Sequence, residues 1–316
     1  MNYTLHQLHV FLTISRTGSI TKSAEELHLT QPAVSIQLKN FQDQFEMPLT
    51  EVVGRKLYIT DFGKEIAAAA EKILEEANAI NYISSAYGNL LAGRLKISVV
   101  STGKYIMPYL LSDFMKEHVG VDLLMDVTNK SSVIKSLENN EVDFALVSVM
   151  PGGISLEHMP LMYNQLYVVA NTELASQYDI NTWEDLTNIP LIYREQGSGT
   201  RQVMEQFFKA NNIAVEKKME LTTNEAVKQA VLAGLGCSIM PVIGLKNELN
   251  DGLLKILPVE GFPIQSTWHL IWLKKKRLTS VATAFLQLIQ KEKDAIIKEQ
   301  FGWIDEYVAK SIKGKS

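Results

Sequence analysis

The chain has 316 residues, too many for one compact core, so two or three domains are expected. Hydrophobic residues make up 46% and charged residues 21%, which excludes a globally disordered chain. With 31 Lys+Arg against 35 Asp+Glu, the net charge of −4 excludes a wholly basic nucleic-acid coat protein but allows one small DNA-binding module.

A single cysteine, Cys237, rules out an internal disulfide and therefore a disulfide-stapled secreted scaffold. No apolar run reaches the roughly 20 residues that a membrane helix needs. The first residues also lack the basic and apolar regions of a signal peptide. We therefore expect a cytoplasmic protein that does not contact a membrane.

Residues 1–60 are predicted to form a small helical unit with a wing. Apolar residues recur at helical spacing in three segments, at Leu5, Leu8, Phe11 and Leu12, at Ala24 and Leu27, and at Val34, Leu38, Phe41 and Phe45. Thr30 is a suitable N-cap for the third helix, and Pro32 fits its first turn. The β-rich stretch Leu57-Tyr58-Ile59 after Val53-Gly54-Arg55-Lys56 predicts a two-stranded wing.

Two tightly joined helices followed by a wing indicate a winged helix-turn-helix, whose recognition helix enters the major groove of DNA. Gln31 and Ser35 can then pair with base edges or phosphates, and Ile36 can touch a thymine methyl. The candidate DNA-binding residues are Gln31, Pro32, Ser35, Ile36, Lys39, Arg55 and Lys56.

The alternative is that this helical unit forms only a core. Charge does not favour DNA binding, because five basic and five acidic residues cancel in this segment. They are Arg16, Lys22, Lys39, Arg55 and Lys56 against Glu25, Glu26, Asp43, Glu46 and Glu51.

Two motifs resemble LysR-type transcriptional regulators. Residues 18–41, GSITKSAEELHLTQPAVSIQLKNF, resemble their N-terminal signature, and residues 54–63, GRKLYITDFG, resemble their wing and the entry to their linker helix. The resemblance covers nearly the whole chain and implies promoter DNA and RNA polymerase as partners. One departure is Leu49-Thr50-Glu51-Val52-Val53, where the family usually has a Phe and then a basic residue.

Residues 61–92 are predicted to form a long linker helix, since no Pro occurs between Asp61 and Leu91. Small and apolar residues form one stripe, at Ala70, Ile73, Ala77, Ile80, Ser84, Tyr87 and Leu91. A helix with such a stripe must pack on something, either a second copy of the chain or its own domain. The resemblance favours a second copy, in a homodimer or homotetramer.

Residues 93–290 alternate between β-rich runs and helical segments, which predicts an α/β fold with parallel strands. A break at Pro151-Gly152-Gly153 separates two similar lobes, lobe I at about 93–149 and 267–290 and lobe II at about 163–266. Lobes of this kind form a clamshell with a ligand cleft. The resemblance implies an effector domain similar to periplasmic binding proteins.

Ligands collect at the carboxyl ends of parallel strands, so we expect three segments to line the cleft. These are Ser101-Thr102-Gly103-Lys104, Gln196-Gly197-Ser198-Gly199-Thr200-Arg201, and Thr128-Asn129 facing Ser148. Hydroxyls, glycines and helical N–H groups would cradle an anion, with charge from Lys104 and Arg201. Alternatively, such turns only start helices, Lys104 is solvated and Arg201 pairs with Glu205.

Four stretches look closest to the LysR-type regulators of carbon-fixation operons, VSTGKYIMP (100–108), GSGTRQVMEQFF (197–208), NEAVKQAVLAGLGCSIMP (224–241) and FPIQSTWHLIWLKKKRLT (262–279). The resemblance implies a small anionic, phosphorylated metabolite as effector. It rests on Ser101, Thr102, Lys104, Gly197, Ser198, Thr200, Arg201 and Asn224. With Thr128, Asn129, Ser148 and Gln196, these residues are the candidate effector-binding set.

A solute-binding receptor or an enzyme on the same two-lobed fold is the alternative function. An enzyme is disfavoured because Cys237 lies in an apolar run and the six His residues show no metal-ligand spacing. We therefore expect no catalytic residue, metal or cofactor. A solute receptor would lack the N-terminal unit and would need an export signal.

Residues 291–316 are predicted to form a C-terminal extension with a helical start. Its apolar residues are Phe301, Trp303, Ile304 and Tyr307. The sequence leaves open whether the extension covers a lobe, makes an oligomer contact or is frayed.

Overall fold

The computed structural model describes residues 2–54, 56–86, 91–178, 180, 182–186, 189–213 and 217–313. The chain divides into two compact units, residues 1–90 and residues 91–316. In the described ranges, no helix is long and apolar enough to cross a bilayer.

The N-terminal unit is a winged helix-turn-helix followed by a long helix. Its elements are α1 (Leu5–Thr17), α2 (Ile20–Glu26), α3 (Gln31–Gln42), β1 (Thr50–Val53), β2 (Lys56–Ile59) and α4 (Asp61–Ala86). The side chain of Thr30 accepts a hydrogen bond from the Ala33 N–H, and Pro32 lies in the first turn of α3, as the sequence predicts. Strands β1 and β2 pair antiparallel and form the wing.

The long helix α4 packs on α1 through its first half, where Ala67 and Ala70 are buried. Further along, Ile73 and Ile80 of the predicted stripe are exposed by 41% and 68%. Tyr87, another stripe residue, lies outside the described residues. The helix thus packs on its own unit at one end and presents apolar side chains beyond it.

The C-terminal unit is an α/β fold with two lobes, a seven-stranded curled sheet and a separate pair of parallel strands. Its strands are β3 (Ala92–Val100), β4 (Gly120–Thr128), β5 (Phe144–Val147), β6 (Leu156–Asn171), β7 (Leu191–Arg194), β8 (Lys217–Leu221), β9 (Ser238–Pro241), β10 (Leu254–Ile256) and β11 (Ile264–Leu273). The main sheet has the order β10-β6-β11-β5-β3-β4, and β9 also pairs with β6. β3 is parallel to β4 and β5, as predicted.

Helices cover the sheet from both lobes. They are α5 (Met107–Glu117), α6 (Lys130–Glu138), α7 (Thr172–Gln177), α8 (Trp183–Leu186), α9 (Gly199–Ala210), α10 (Asn224–Leu232), α11 (Lys246–Asn250), α12 (Ser280–Phe301) and α13 (Trp303–Lys313). We call the part built on β3–β5, with α5, α6 and α12, lobe I. The part built on β7–β10, with α7–α11, is lobe II.

Two long strands, β6 and β11, cross between the lobes and pair antiparallel along most of their length. Lobe II is predicted to begin at about residue 163, but strand β6 already begins at Leu156, soon after the break at Pro151-Gly152-Gly153. Its first half is mostly exposed or half-buried, so it carries only a weak hydrophobic signal.

The C-terminal extension is helical and packed on lobe I. α12 does not end near Gln290 but continues to Phe301, and α13 follows after one residue. Phe301 and Ile304 are both buried against the main core. Of the possibilities that the sequence left open, the structure therefore shows a segment that covers a lobe.

Candidate functional site

The recognition helix α3 presents a polar face to its surroundings. Gln31, Pro32 and Lys39 are exposed, Ser35 is half-buried, and Ile36 is 57% exposed. The opposite face, with Val34, Leu38 and Phe41, is buried in the core of the N-terminal unit. The side chains that could contact DNA are therefore not part of the core of the N-terminal unit.

The wing carries the other candidate contacts. Lys56 is exposed at the start of β2, whereas Arg55 lies outside the described residues. Val52 and Val53 of β1 are exposed by 68% and 61%. The chain thus presents apolar rather than basic side chains on this strand, in line with the sequence departure noted above.

A second candidate site is a narrow cavity of about 10 Å³ between the lobes of the C-terminal unit. Lobe I contributes Val100, Ser101, Thr102, Asn129, Lys130 and Ser148, and lobe II contributes Arg194, Ser198, Gly199 and Thr200. Sites for drug-sized ligands occupy roughly 300–1,000 Å³. We call this the interlobe cavity; with the lobes as they lie in this structure, it is smaller than such a site.

Two helices begin at the interlobe cavity, one from each lobe. Asn129 caps α6, since its side-chain oxygen accepts a hydrogen bond of 3.0 Å from the Ser132 N–H. Ser198 caps α9 in the same way, over 3.5 Å from the Arg201 N–H. The first-turn N–H groups of a helix lack partners within it and carry partial positive charge. Both helix starts therefore favour an anion between them.

Two cationic side chains, Lys130 and Arg194, line the cavity. Lys130 Nζ donates a hydrogen bond of 2.8 Å to Gln202 Oε1. Partial burial lowers the pKa of Lys130 from its ordinary value, because desolvation disfavours the charged form. Arg194, 4% exposed, pairs through Nε and Nη2 with the carboxylate of Glu195. Glu195 does not line the cavity, but it neutralises Arg194. Among the described lining residues there is no carboxylate, so Lys130 and the two helix starts make the cavity wall favour a negatively charged ligand.

Sequence reasoning missed both of these cations. Lys130 directly follows the predicted Asn129, and Arg194 ends β7, a strand that the sequence analysis did not identify. A prediction of that strand would have placed Arg194 at the carboxyl end, where ligands collect.

The two cations expected from the sequence have protein partners. Arg201 donates to Glu205 over 2.6 Å, to Glu220 over 2.8 Å and to the carbonyl oxygen of Arg194 over 3.1 Å. The hydrogen bond to Glu205 is the main reason that the pKa of Arg201 is raised. The pairing of Arg201 with Glu205 is the one that the sequence analysis gave as the alternative to ligand binding. Because its donors face these oxygens, Arg201 is not among the cavity-lining residues.

Lys104 also lies away from the lining. Its Nζ is 5.0 Å from the ring centroid of Tyr105. Burial opposes ionisation of Glu225, yet hydrogen bonds from Gln229 and Lys228 and the charges of Lys228 and Lys104 lower its pKa. Lys104 therefore interacts electrostatically with a carboxylate of the protein itself, Glu225.

The remaining expected residues are not among those that line the interlobe cavity. Thr128 ends β4. Gln196 and Gly197 line a neighbouring opening together with Arg201. Asn224 is buried at the start of α10, and its Nδ2 has no hydrogen-bond partner in the described part of the chain.

The described residues show little that could support catalysis. They contain no group of three or more His, Cys, Asp or Glu able to hold a metal ion. Burial raises the pKa of Cys237 to about 12, so its thiol stays protonated at neutral pH and is a poor nucleophile.

Two family models match the chain. Residues 5–64 match the bacterial regulatory helix-turn-helix protein of the lysR family, and residues 88–294 match the LysR substrate-binding domain. The HTH-type transcriptional activator CmpR of Synechocystis sp. is 38% identical over 297 residues, 93% of this chain and 97% of that protein. The RuBisCO operon transcriptional regulator of Allochromatium vinosum is 37% identical over 294 residues, 92% and 97% of the two chains.

Solved structures are similar as well. The regulatory domain of Synechocystis CcmR in complex with 2-PG is 34% identical, with a TM-score of 0.58, and covers 63% of this chain and 96% of that one. Full-length CbnR complexed with its target DNA has a TM-score of 0.71 at 18% identity and covers 92% and 99%. At that identity, the likeness to CbnR shows the fold alone.

Proposed function

Because the chain belongs to the LysR family of bacterial transcriptional regulators, we propose that its interlobe cavity binds a small phosphorylated metabolite that controls its action on promoter DNA. Like these relatives, which are transcriptional regulators, the chain is a regulator and not an enzyme. The observation that carries the proposal is that two helix starts and Lys130 converge on one cavity, whose described lining residues include no carboxylate.

The chemistry of the cavity supports a phosphate rather than a neutral group. Hydroxyls of Ser101, Thr102, Ser148, Ser198 and Thr200 surround the cavity and can donate to phosphate oxygens. First-turn N–H groups and Lys130 add positive charge. The 2-PG bound to the CcmR regulatory domain, a relative at 34% identity, supports the same ligand class.

Ligand binding would act by favouring one arrangement of the lobes. The cavity is lined from both sides, so a phosphate there bridges lobe I and lobe II. A ligand shifts an equilibrium only if it binds one state better than the other. In the proposed mechanism, dimers or tetramers place α3 and the wing on spaced half-sites, and the lobe shift alters promoter bending and contact with RNA polymerase.

A thermal-shift panel on the full chain tests the ligand class. We expect 2-PG, sugar phosphates or nucleotides to raise the melting temperature, and neutral sugars or aromatic acids to have no effect. Thr102→Val keeps the shape of a side chain that is 3% exposed but removes its hydroxyl, so it should reduce the shift. Stabilisation by neutral or aromatic ligands alone would overturn the proposal.

A gel shift on the DNA just upstream of the gene tests the regulator itself. We expect a retarded band that weakens as salt increases, because phosphate contacts release counterions. No band at low salt or at high salt would contradict DNA binding.

A further inference from the structure

The C-terminal segment 295–313 extends beyond the region that matches the family model, which ends at residue 294. It comprises the last turns of α12 and the whole of α13. Phe301 and Ile304 are each 5% exposed, which is burial typical of core residues. The segment is therefore docked on the rest of the C-terminal unit.

On one side, the segment is anchored to lobe I. α12 inserts Phe285 and Ile289 into the main core, where both are fully buried. At its end, the ring of Phe301 packs edge-on against Tyr109 of α5, with 5.6 Å between the centroids. Motion of α12 is thus tied to lobe I.

On the other side, α13 reaches groups of lobe II and of the crossing strand β6. Lys246 Nζ of α11 lies 5.5 Å from the ring centroid of Trp303. Asp305 Oδ1 accepts a hydrogen bond of 3.4 Å from Gln165 Nε2, and Gln165 Oε1 accepts one of 3.1 Å from Tyr167 Oη. Contacts with both lobes therefore occur within a few residues of one rigid helical segment.

A cavity of about 690 Å³ separates part of this segment from the crossing strands β6 and β11. It shares no lining residue with the interlobe cavity. Its lining carries Lys293 and Lys298 against Asp294 and Asp305, so the balance of charge selects no charged ligand. The cavity leaves the outer face of the crossing strands partly unpacked.

We propose that residues 295–313 act as a strap that ties lobe I to lobe II at the crossing strands and holds them at the angle of this structure. Opening the lobes would separate Tyr109 from Lys246 and Gln165, so the strap would have to break its contacts on one side. The strap would then set the effector concentration at which the lobes close, a consequence that rests on the function proposed above.

The test uses the full chain and the double variant Trp303→Leu, Asp305→Asn. It removes the aromatic ring that meets Lys246 of lobe II and the carboxylate that meets Gln165 of β6, and it leaves an apolar side chain at position 303. Glu306→Gln is the matched control, because Glu306 is the neighbouring exposed carboxylate of the same helical turn. Spin labels on Glu138→Cys of lobe I and Lys209→Cys of lobe II, both exposed, report the lobe separation. Cys237 is buried and should not be labelled.

Without ligand, we expect the double variant to show a longer or broader distribution of label distances than wild type and Glu306→Gln. Its midpoint for 2-PG should rise about threefold to tenfold. An unchanged distance distribution would overturn the strap. If no protein binds 2-PG, the proposed effector class fails, but the label distances still decide the role of the strap.

Discussion

Lys130 Nζ of lobe I donates a hydrogen bond of 2.8 Å to Gln202 Oε1 of lobe II, in the opening beside the interlobe cavity. An ammonium group is here partly desolvated, and its partner is a neutral amide rather than a carboxylate. Burial accordingly lowers the pKa of Lys130. A phosphate in the cavity would supply the negative charge that Lys130 lacks in its partner. Binding at Lys130 is therefore coupled to the relative position of the lobes.

The first prediction concerns the charge of Lys130. Lys130→Met should weaken 2-PG binding by about tenfold or more, because a hydrogen bond to a charged group contributes roughly 1.5–3 kcal/mol. Isothermal titration calorimetry on the full chain measures the change. Lys135→Met, an exposed lysine of the same helix α6, is the control and should bind as wild type. Equal affinity in both variants would show that the ligand does not use Lys130.

The second prediction concerns pH. The ordinary pKa of lysine is 10.5, and that of Lys130 is lower because burial disfavours the charged form. Below the lowered pKa, Lys130 is charged in both the folded and the unfolded chain, and the folded state carries the desolvation cost. As pH rises through the lowered pKa, the folded chain loses this cost and its free energy of unfolding increases. The increase ends near 10.5, where Lys130 of the unfolded chain also becomes neutral.

The affinity for 2-PG should therefore fall as pH rises through the lowered pKa, because the ligand needs the ammonium form. The phosphate itself is already fully ionised well above its second pKa of about 6. Titrations at increasing pH up to 10.5, the ordinary pKa of lysine, measure the trend, which Lys130→Met should lack. A wild-type affinity that stays constant over this range would contradict the prediction.

Much of the fold follows from local sequence signals. The recognition helix is fixed by a Thr30 cap, a Pro32 in the first turn and an apolar stripe, all of which the structure shows. Parallel strands β3 and β4 are continuous β-rich runs with helices between them. The first half of β6 is different, because it is covered on one face at most and its pattern resembles a loop. Its role as a crossing strand depends on partners that lie far away in sequence.

The sequence predicts where the candidate site lies, but it does not predict which cationic side chains face the cavity. Hydroxyl residues after β3 and before α9 meet in one cavity, as expected from the carboxyl ends of parallel strands. The sequence cannot show that Glu220, which lies on a neighbouring strand, binds Arg201 and keeps it away from the lining. Long-range ion pairs of this kind decide which cation faces a ligand, and a single sequence contains no local signal for them.

The third prediction separates base reading from phosphate contact in α3. Gln31→Ala should weaken binding to the specific site by about 1–3 kcal/mol and leave non-specific binding unchanged. Lys39→Ala should weaken both equally and reduce the salt slope by about 1. Fluorescence anisotropy with the upstream duplex and a scrambled duplex measures both effects. Lys72→Ala, an exposed lysine of α4, serves as the control. The assignment fails if Gln31→Ala weakens both duplexes alike.

The fourth prediction uses a steric wedge between the lobes. Gly197 of lobe II has a φ of +86°, and a Cβ there would lie 2.7 Å from Ser131 Oγ of lobe I. Gly197→Ala should therefore push the lobes apart and weaken 2-PG binding, since the cavity is lined from both sides. Ser131→Ala in the same chain removes the colliding oxygen and should restore part of the affinity. Calorimetric titration of the single and double variants measures this.

Backbone strain alone could produce the same loss, so the wedge needs a control with equal strain and no collision. Gly153 has a φ of +81°, and a Cβ there would meet nothing within 4 Å. Gly153→Ala should thus lower the melting temperature about as much as Gly197→Ala but keep the affinity for 2-PG. If both variants lose affinity equally, the loss comes from strain and Ser131 plays no part. If Gly197→Ala alone loses it and Ser131→Ala restores it, the close approach of the lobes is what the ligand requires.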